Sequence, residues 1–307
     1  MNQPKRTIFL SFFLFCSFYW AKGQGNMPVE NHHQVFLQVD NDAFAFMHFD
    51  RYYTHGMHLG YIFQVSSNGR LKTRLTQQIY TPEFYTAKSK KYYDRPFAGV
   101  FYGKIGYQWL FASGWLEGNL LLGRVGPGAK AEEVQTWYHS LLGFPQPRGW
   151  NSQVESGGLS NLDFSGAYGI ARGGNFDFWL ASQFSWGNFE KSLTFSPSLR
   201  LGKLAPTIRA SEISGARTGS TGSHETYVQL GAIFQKVFWN ASVQGADTTK
   251  EINLDMMTPS PGSQEYYLRL VLSYPHFGVS YKVYYRTKET LISKGQFVGS
   301  IHFSYLF

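Results

Sequence analysis

The 307 residues include 28 Lys and Arg against 20 Asp and Glu, a net charge of +8, yet only 16% are charged while 18% are aromatic. Three classes are excluded at once. A lone cysteine, Cys16, rules out a disulfide framework, no apolar run beyond the N-terminus has the length of a membrane helix, and basic residues scattered among connections, not lining one element, argue against a nucleic-acid partner.

At the N-terminus, Lys5-Arg6 precede an apolar stretch from Thr7 to Trp20 that is too short to span a bilayer as a helix. This reads as a secretory signal peptide, residues 1–23, with Ala21, Gly23 and Gly25 as the small residues near the cleavage point. Residues 24–307 form the mature domain, and Cys16 leaves with the signal.

Beyond it the chain is rich in aromatics and glycine: 27 Phe, 20 Tyr, 8 Trp and 32 Gly. Aromatic girdles with small residues between them are the composition of a membrane barrel. Alternating segments bounded by turn residues predict strands near 34–42, 54–66, 70–80, 96–110, 114–124, 159–172, 175–188, 191–203, 223–240, 263–274, 276–288 and 294–307. The predicted fold is therefore an all-β, transmembrane antiparallel barrel of about twelve strands, with one external loop helix. The last strand is the clearest: Phe297, Gly299, Ile301, Phe303, Tyr305 and Phe307 alternate with Val298, Ser300, His302 and Ser304, one face for lipid and one for a polar interior. The terminal Phe307 resembles the signal by which outer-membrane barrels are recognised for assembly.

With both ends on the periplasmic side, the first, third and fifth connections face outward and are long, whereas those between them are short. Residues 204–222 break the pattern as a long connection on the inner side. The fifth connection holds the one good helical segment, Ala129 to Gly143, preceded by Pro127-Gly128, with Glu132 and Glu133 in its first turns and Gly143 to close it.

Three polar clusters fall at the outer rim: Asn41-Asp42 at the end of the first strand, Asp50-Arg51-Tyr52-Tyr53-Thr54 at the start of the second, and Gln135 with His139, four apart on one helical face. A histidine can take a proton from water, an amide can orient it, and a carboxylate can hold a cation that stabilises an oxyanion. Each cluster also has a plain structural reading. Asn-Asp is common turn chemistry, Asp-Arg-Tyr-Tyr can be a rim salt bridge with girdle tyrosines, and a single helical histidine can simply pack. Only their common rim favours chemistry. His32, His33, His48, His55, His58, His224 and His276 have no metal-ligand spacing and read as interfacial or lumen residues.

Asn41-Asp42 with Asp50 to Gly56, Gln78-Ile79-Tyr80-Thr81-Pro82, Asp94-Arg95-Pro96-Phe97-Ala98-Gly99, and Gly126-Pro127 leading to Glu133-Val134-Gln135 and His139 resemble, in order and spacing, the lipid A 3'-O-deacylase family (LpxR). The specific motifs lie between Asn41 and Trp150; the second half agrees as barrel strands. The resemblance implies a twelve-stranded outer-membrane barrel that removes the 3'-linked acyloxyacyl group of lipid A in lipopolysaccharide, in a calcium-dependent hydrolysis between the outer wall and the loop helix. On it, His139 falls on the family's water-activating histidine, Asn41, Asp42 and Thr54 on its other site positions, and Gln135 one turn before the base. Asn41 and Asp42 are the hard oxygen ligands that suit Ca²⁺. Some members carry a carboxylate in the turn after the histidine, where this chain has Gly143-Phe144-Pro145-Gln146; Glu132, Glu133 and Glu155 are the candidates to replace it. The members' basic pair in the third connection is matched loosely, with Lys88 and Arg95 taken as the phosphate contacts among Lys88, Lys90, Lys91 and Arg95. The positive net charge suits a phosphate-bearing lipid.

The expected protein is a monomer among outer-membrane lipids. Two other readings stand beside hydrolysis of lipid A: a non-catalytic barrel, either channel or structural, and an outer-membrane phospholipase, for which no nucleophilic serine is evident near His139.

Overall fold

The computed structural model describes residues 33–45, 51–205, 224–249 and 258–307. Within them twelve antiparallel strands pair in sequence order, and the last pairs with the first to close a barrel. The strands are β1 His33–Asn41, β2 Tyr52–Gln64, β3 Gly69–Thr81, β4 Ala98–Phe111, β5 Gly114–Val125, β6 Gly157–Arg172, β7 Phe176–Gly187, β8 Glu190–Lys203, β9 Glu225–Asn240, β10 Gly262–Ser273, β11 Phe277–Arg286 and β12 Gln296–Leu306. Every predicted strand is present, with ends shifted by a few residues. Among the described residues no helix is long and apolar enough to cross a membrane. Closure answers the physical requirement of lipid, because a cylinder leaves no unpaired strand edge.

The period-two pattern sorts side chains as a bilayer demands. Outward positions carry Leu59, Leu122, Phe164 and Phe303, each at least half exposed to the surroundings. Inward positions carry buried polar groups: Gln34, Asp40, His58, Gln108, Asp163 and Gln229. On β12, Phe297, Phe303 and Tyr305 face out while Val298, Ser300 and Ser304 face in, as the alternation requires.

Among the described residues, paired charges cross the interior. Lys72 bridges to Glu117 at 2.7 Å, Arg200 to Asp177 at 2.5 Å, and Lys104 to Asp163. Nearer the outer end an apolar layer crosses the lumen, built from Tyr53, Tyr80, Val100, Tyr102, Leu121, Tyr284 and Val298, with Ala241 from a short helical turn in the connection before β10.

Connections at the outer end are long, apart from the two residues between β7 and β8, and those at the inner end are short. The exception expected from the sequence persists, since β8 ends at Lys203 and β9 begins only at Glu225. Residues 206–223 of that connection, Asp50 of the rim motif and the signal segment lie outside the described residues. The predicted helix is α1, Ala131–Leu142; a 3-10 turn over Gly126–Ala129 leads into it and Gly143, at φ 71°, ends it. Glycine suits that left-handed position because it has no Cβ to clash.

Candidate active site

Strand register places five residues side by side on the outer face near the rim: Gly299, Asn41, His55, Ile79 and Gly99. The two end positions are glycines for a steric reason. A Cβ on Gly99 would sit 2.4 Å from the Cβ of Ala131 in α1, and one on Gly299 would sit 2.5 Å from Phe44 in the 3-10 turn Asp42–Ala45. Two elements therefore press onto the wall about four strand spacings apart, roughly 19 Å. Asn41, His55 and Ile79 form the floor between them.

One side of this groove is the turn that leaves β1. Asn41 Oδ1 accepts from Ala43 N at 2.8 Å, Asp42 Oδ2 accepts from Arg51 N at 3.1 Å, and Tyr281 donates its hydroxyl to the Phe44 carbonyl at 2.5 Å. The Asn-Asp turn chemistry read from the sequence is real, and it also fixes Asn41 and Asp42 at the groove, both over 90% buried.

The other side is α1. Ala131 packs with Ile79, Tyr93, Phe97 and Trp150 in a compact cluster outside the barrel wall, and Gln77 Nε2 donates to the Ala129 carbonyl at 3.0 Å. From this seat the helix presents His139, 3% exposed, within an aromatic frame: Tyr85 and Phe144 approach its ring edge-on at centroid distances of 5.8 and 5.7 Å. The chain of contact across the groove is short, since Asn41 pairs with His55, His55 stacks on Tyr138 at 6.3 Å, and Tyr138 meets His139.

His139 Nδ1 lies 2.6 Å from the Pro145 carbonyl oxygen. A carbonyl only accepts, so this bond assigns the proton to Nδ1 and the basic lone pair to Nε2. The backbone of the turn after the histidine takes Nδ1–H; the candidate glutamates Glu132, Glu133 and Glu155 are all exposed, and Glu133 bonds Lys130 at 2.8 Å. One turn earlier, Gln135 is 4% exposed and accepts from Trp150 Nε1 at 2.9 Å. An indole N–H can only donate, so the amide orientation is set. Gln135 Nε2 is thereby left as a buried donor with no partner among the described residues, an arrangement costing about 1–3 kcal/mol unless a ligand or water accepts from it.

Thr54 occupies a β-bulge, where register slips between Tyr53 and His55, and its hydroxyl donates to the Ile79 carbonyl at 3.2 Å. Arg51 and Tyr52 make rim contacts of the kind the salt-bridge reading expected, with partners outside the motif. Arg51 donates to Glu83 at 2.5 Å, and Tyr52 donates to Asp94 at 2.5 Å while accepting from Lys294 N at 2.9 Å. Tyr52 holds a positive φ of 61°, a strained conformation that these bonds over-determine. Lys294 also meets Glu83 at 2.8 Å. Partial burial works to raise the Glu83 carboxyl, but hydrogen bonds and charge from Lys294 and Arg51 outweigh it and hold the group below the ordinary carboxylate value.

Of the two expected phosphate contacts, Lys88 is exposed in the third connection, whereas Arg95 is not available. Its guanidinium is fully buried, ion-paired to Glu289, donates to Ser242 O at 3.1 Å and lies over the Tyr80 ring at 4.3 Å. Arg95 thus belongs to the lumen closure and not to the groove, held there by Glu289 and Ser242. Sequence reasoning missed His55, Tyr85, Tyr138 and the Pro145 carbonyl. His55 had been placed with interfacial residues, and only cross-strand register reveals it beside Asn41.

For calcium, the donor set is chemically compatible: the Asp42 carboxylate, the Asn41 amide oxygen, whose second lone pair is not used by Ala43, and the Thr54 hydroxyl are hard oxygens. No cluster of three or more His, Cys, Asp or Glu suited to a metal occurs among the described residues. Backbone, water or substrate oxygens would have to complete a shell of six to eight ligands.

The family model described as outer membrane protein LpxR matches residues 8–307. LpxR from Salmonella typhimurium superposes with a TM-score of 0.75 at 18% identity, covering 89% of this chain and all of that one. The β domain of the Bordetella autotransporter BrkA gives 0.45 at 9% identity, covering 90% of this chain and 98% of that one, and KdgM porin 0.42 at 6%, covering 89% and 98%. A search of curated proteins finds no match.

Proposed function

The chain belongs to the LpxR family of outer membrane proteins, and from that premise we propose that it is an outer-membrane esterase that hydrolyses the 3'-linked acyloxyacyl group of lipid A. The observation that carries this reading is the histidine held outside the barrel wall with its proton on the Pro145 side. Its basic nitrogen serves a substrate in the membrane, not one in the lumen.

In this mechanism His139 Nε2 takes a proton from water as the water attacks the ester carbonyl, and Nδ1–H stays on the Pro145 carbonyl, which steadies the imidazolium that forms. Gln135 Nε2, the buried unmatched donor, orients the water or the ester oxygen. Calcium, when bound by Asp42 and Asn41, supplies positive charge for the developing oxyanion. Thr54 sets the local bend of β2 beside them, and Lys88 is placed to meet a phosphate. The aromatic frame of Tyr85, Tyr138 and Phe144 limits water around the imidazole. A signal peptide over residues 1–23 belongs to the same reading, since the barrel must be exported.

Mass spectra of lipid A from cells with and without the gene test it. Loss of the 3'-linked acyloxyacyl mass in expressing cells is expected; unchanged acylation despite verified surface display would reject the assignment.

A further inference from the structure

Below the groove, the lipid-facing wall has a depression of about 600 Å³ lined chiefly by Leu59, Tyr61, Leu75, Gly103, Ile105 and Leu122. It exists because Gly103 has no side chain on a face where its neighbours are large. A Cβ at Gly103 would meet nothing within 4 Å, while Leu59, Leu75 and Leu122 in the same row all project outward.

Its position relates it to the active site. Leu59, Leu75 and Gly103 lie four residues from His55, Ile79 and Gly99 on β2, β3 and β4, the same three strands that carry the groove floor and the helix seat. Four residues of strand span about 13 Å, or about 10 Å of depth with the usual barrel tilt. One leaflet of hydrocarbon is about 15 Å deep, half the thickness of the core. An ester held at the groove therefore places its own acyl chain at this depth, past Met57 and Phe101, which face lipid in the row between.

We propose that the depression at Gly103 is the acyl-chain seat of the substrate, occupied by a chain of the lipid A whose ester lies beside His139. This rests on the deacylase reading above and adds to it the element that recognises the hydrocarbon. Ordinary phospholipid covers the remaining wall, whereas this seat is filled together with the headgroup site.

The test compares G103F with G118F, the second altering an outward position on β5 that does not line the depression. Native mass spectrometry in the inactive H139A background measures retention of lipid A and of phosphatidylglycerol, and mass spectra of reaction products measure turnover in the unaltered background. We expect G103F to weaken lipid A retention and slow turnover roughly tenfold or more, the order expected when a few methylenes lose their seat, with phosphatidylglycerol retention unchanged and G118F like the parent. Unchanged lipid A retention in a folded G103F barrel overturns the seat alone, as does an equal loss of phosphatidylglycerol. A parent chain that neither retains nor hydrolyses lipid A overturns the deacylase reading and the seat with it.

Discussion

His139 owes its proposed role to a bond with a backbone carbonyl, and its neighbours are arranged around the consequences. With Nδ1–H held by Pro145 O, H139A should lower turnover of lipid A by about 10²–10⁴ while the barrel still inserts, measured by product mass spectra and heat-dependent gel mobility. H139A at near-parent rate would remove the base from the mechanism. Asp42 is the only carboxylate in the proposed calcium set, so D42N should raise the calcium needed for half-maximal rate at least about tenfold. A calcium titration of both proteins on purified lipid A decides this, and an unaltered requirement would place the ion elsewhere. Arg95 shows the opposite lesson. It was expected at a phosphate, yet its surroundings of Glu289, Ser242 and Tyr80 make it a buried strut.

At the scale of elements, two glycines decide how closely α1 and the Asp42–Ala45 turn approach the wall. G99V should lift α1, because the new Cβ would lie 2.4 Å from that of Ala131; overpacking of this kind typically costs about 1–3 kcal/mol. The expected result is a folded barrel with activity lost at least tenfold, seen as faster hydrogen exchange over 131–142. Unchanged exchange and turnover would show that the helix seat tolerates the methyl groups. The rim clamp is electrostatic: Glu83 ties Arg51 and Lys294 together, joining three connections. Its folded value lies below the unfolded one, so its stabilisation is complete above the ordinary carboxylate range and is lost as pH falls through the lowered value. Hydrogen exchange in residues 82–97 should therefore rise on acidification in the parent. In E83Q it should be high at neutral pH and lack that acid step; an identical profile would deny Glu83 the role of clamp.

For the whole molecule, the side chains that cross the lumen argue against an open channel. Paired charges cross it at several levels and the apolar layer around Tyr80, Tyr102 and Tyr284 closes it toward the outer end. Burying such charges is tolerable only because each has a partner. In planar bilayers the purified protein should show no porin-like conductance steps. Regular open-channel steps would revive the channel reading.

Alternation with a period of two, read along residues such as Phe297 to Phe307, was enough to predict twelve strands, their lipid and lumen faces and which connections face outward, because side-chain direction in a strand is a local property. The helix over 129–143 and its Gly143 stop were legible for the same reason, as were Asn41, Asp42, Gln135 and His139 as a set at one rim. What required the closed sheet was lateral neighbourhood. Register across strands far apart in sequence puts Gly299, Asn41, His55, Ile79 and Gly99 in one row, and Arg95 meets Glu289 and Ser242, both far along the chain. Those contacts arise from pairing between distant segments, and no local pattern of residues encodes the partner.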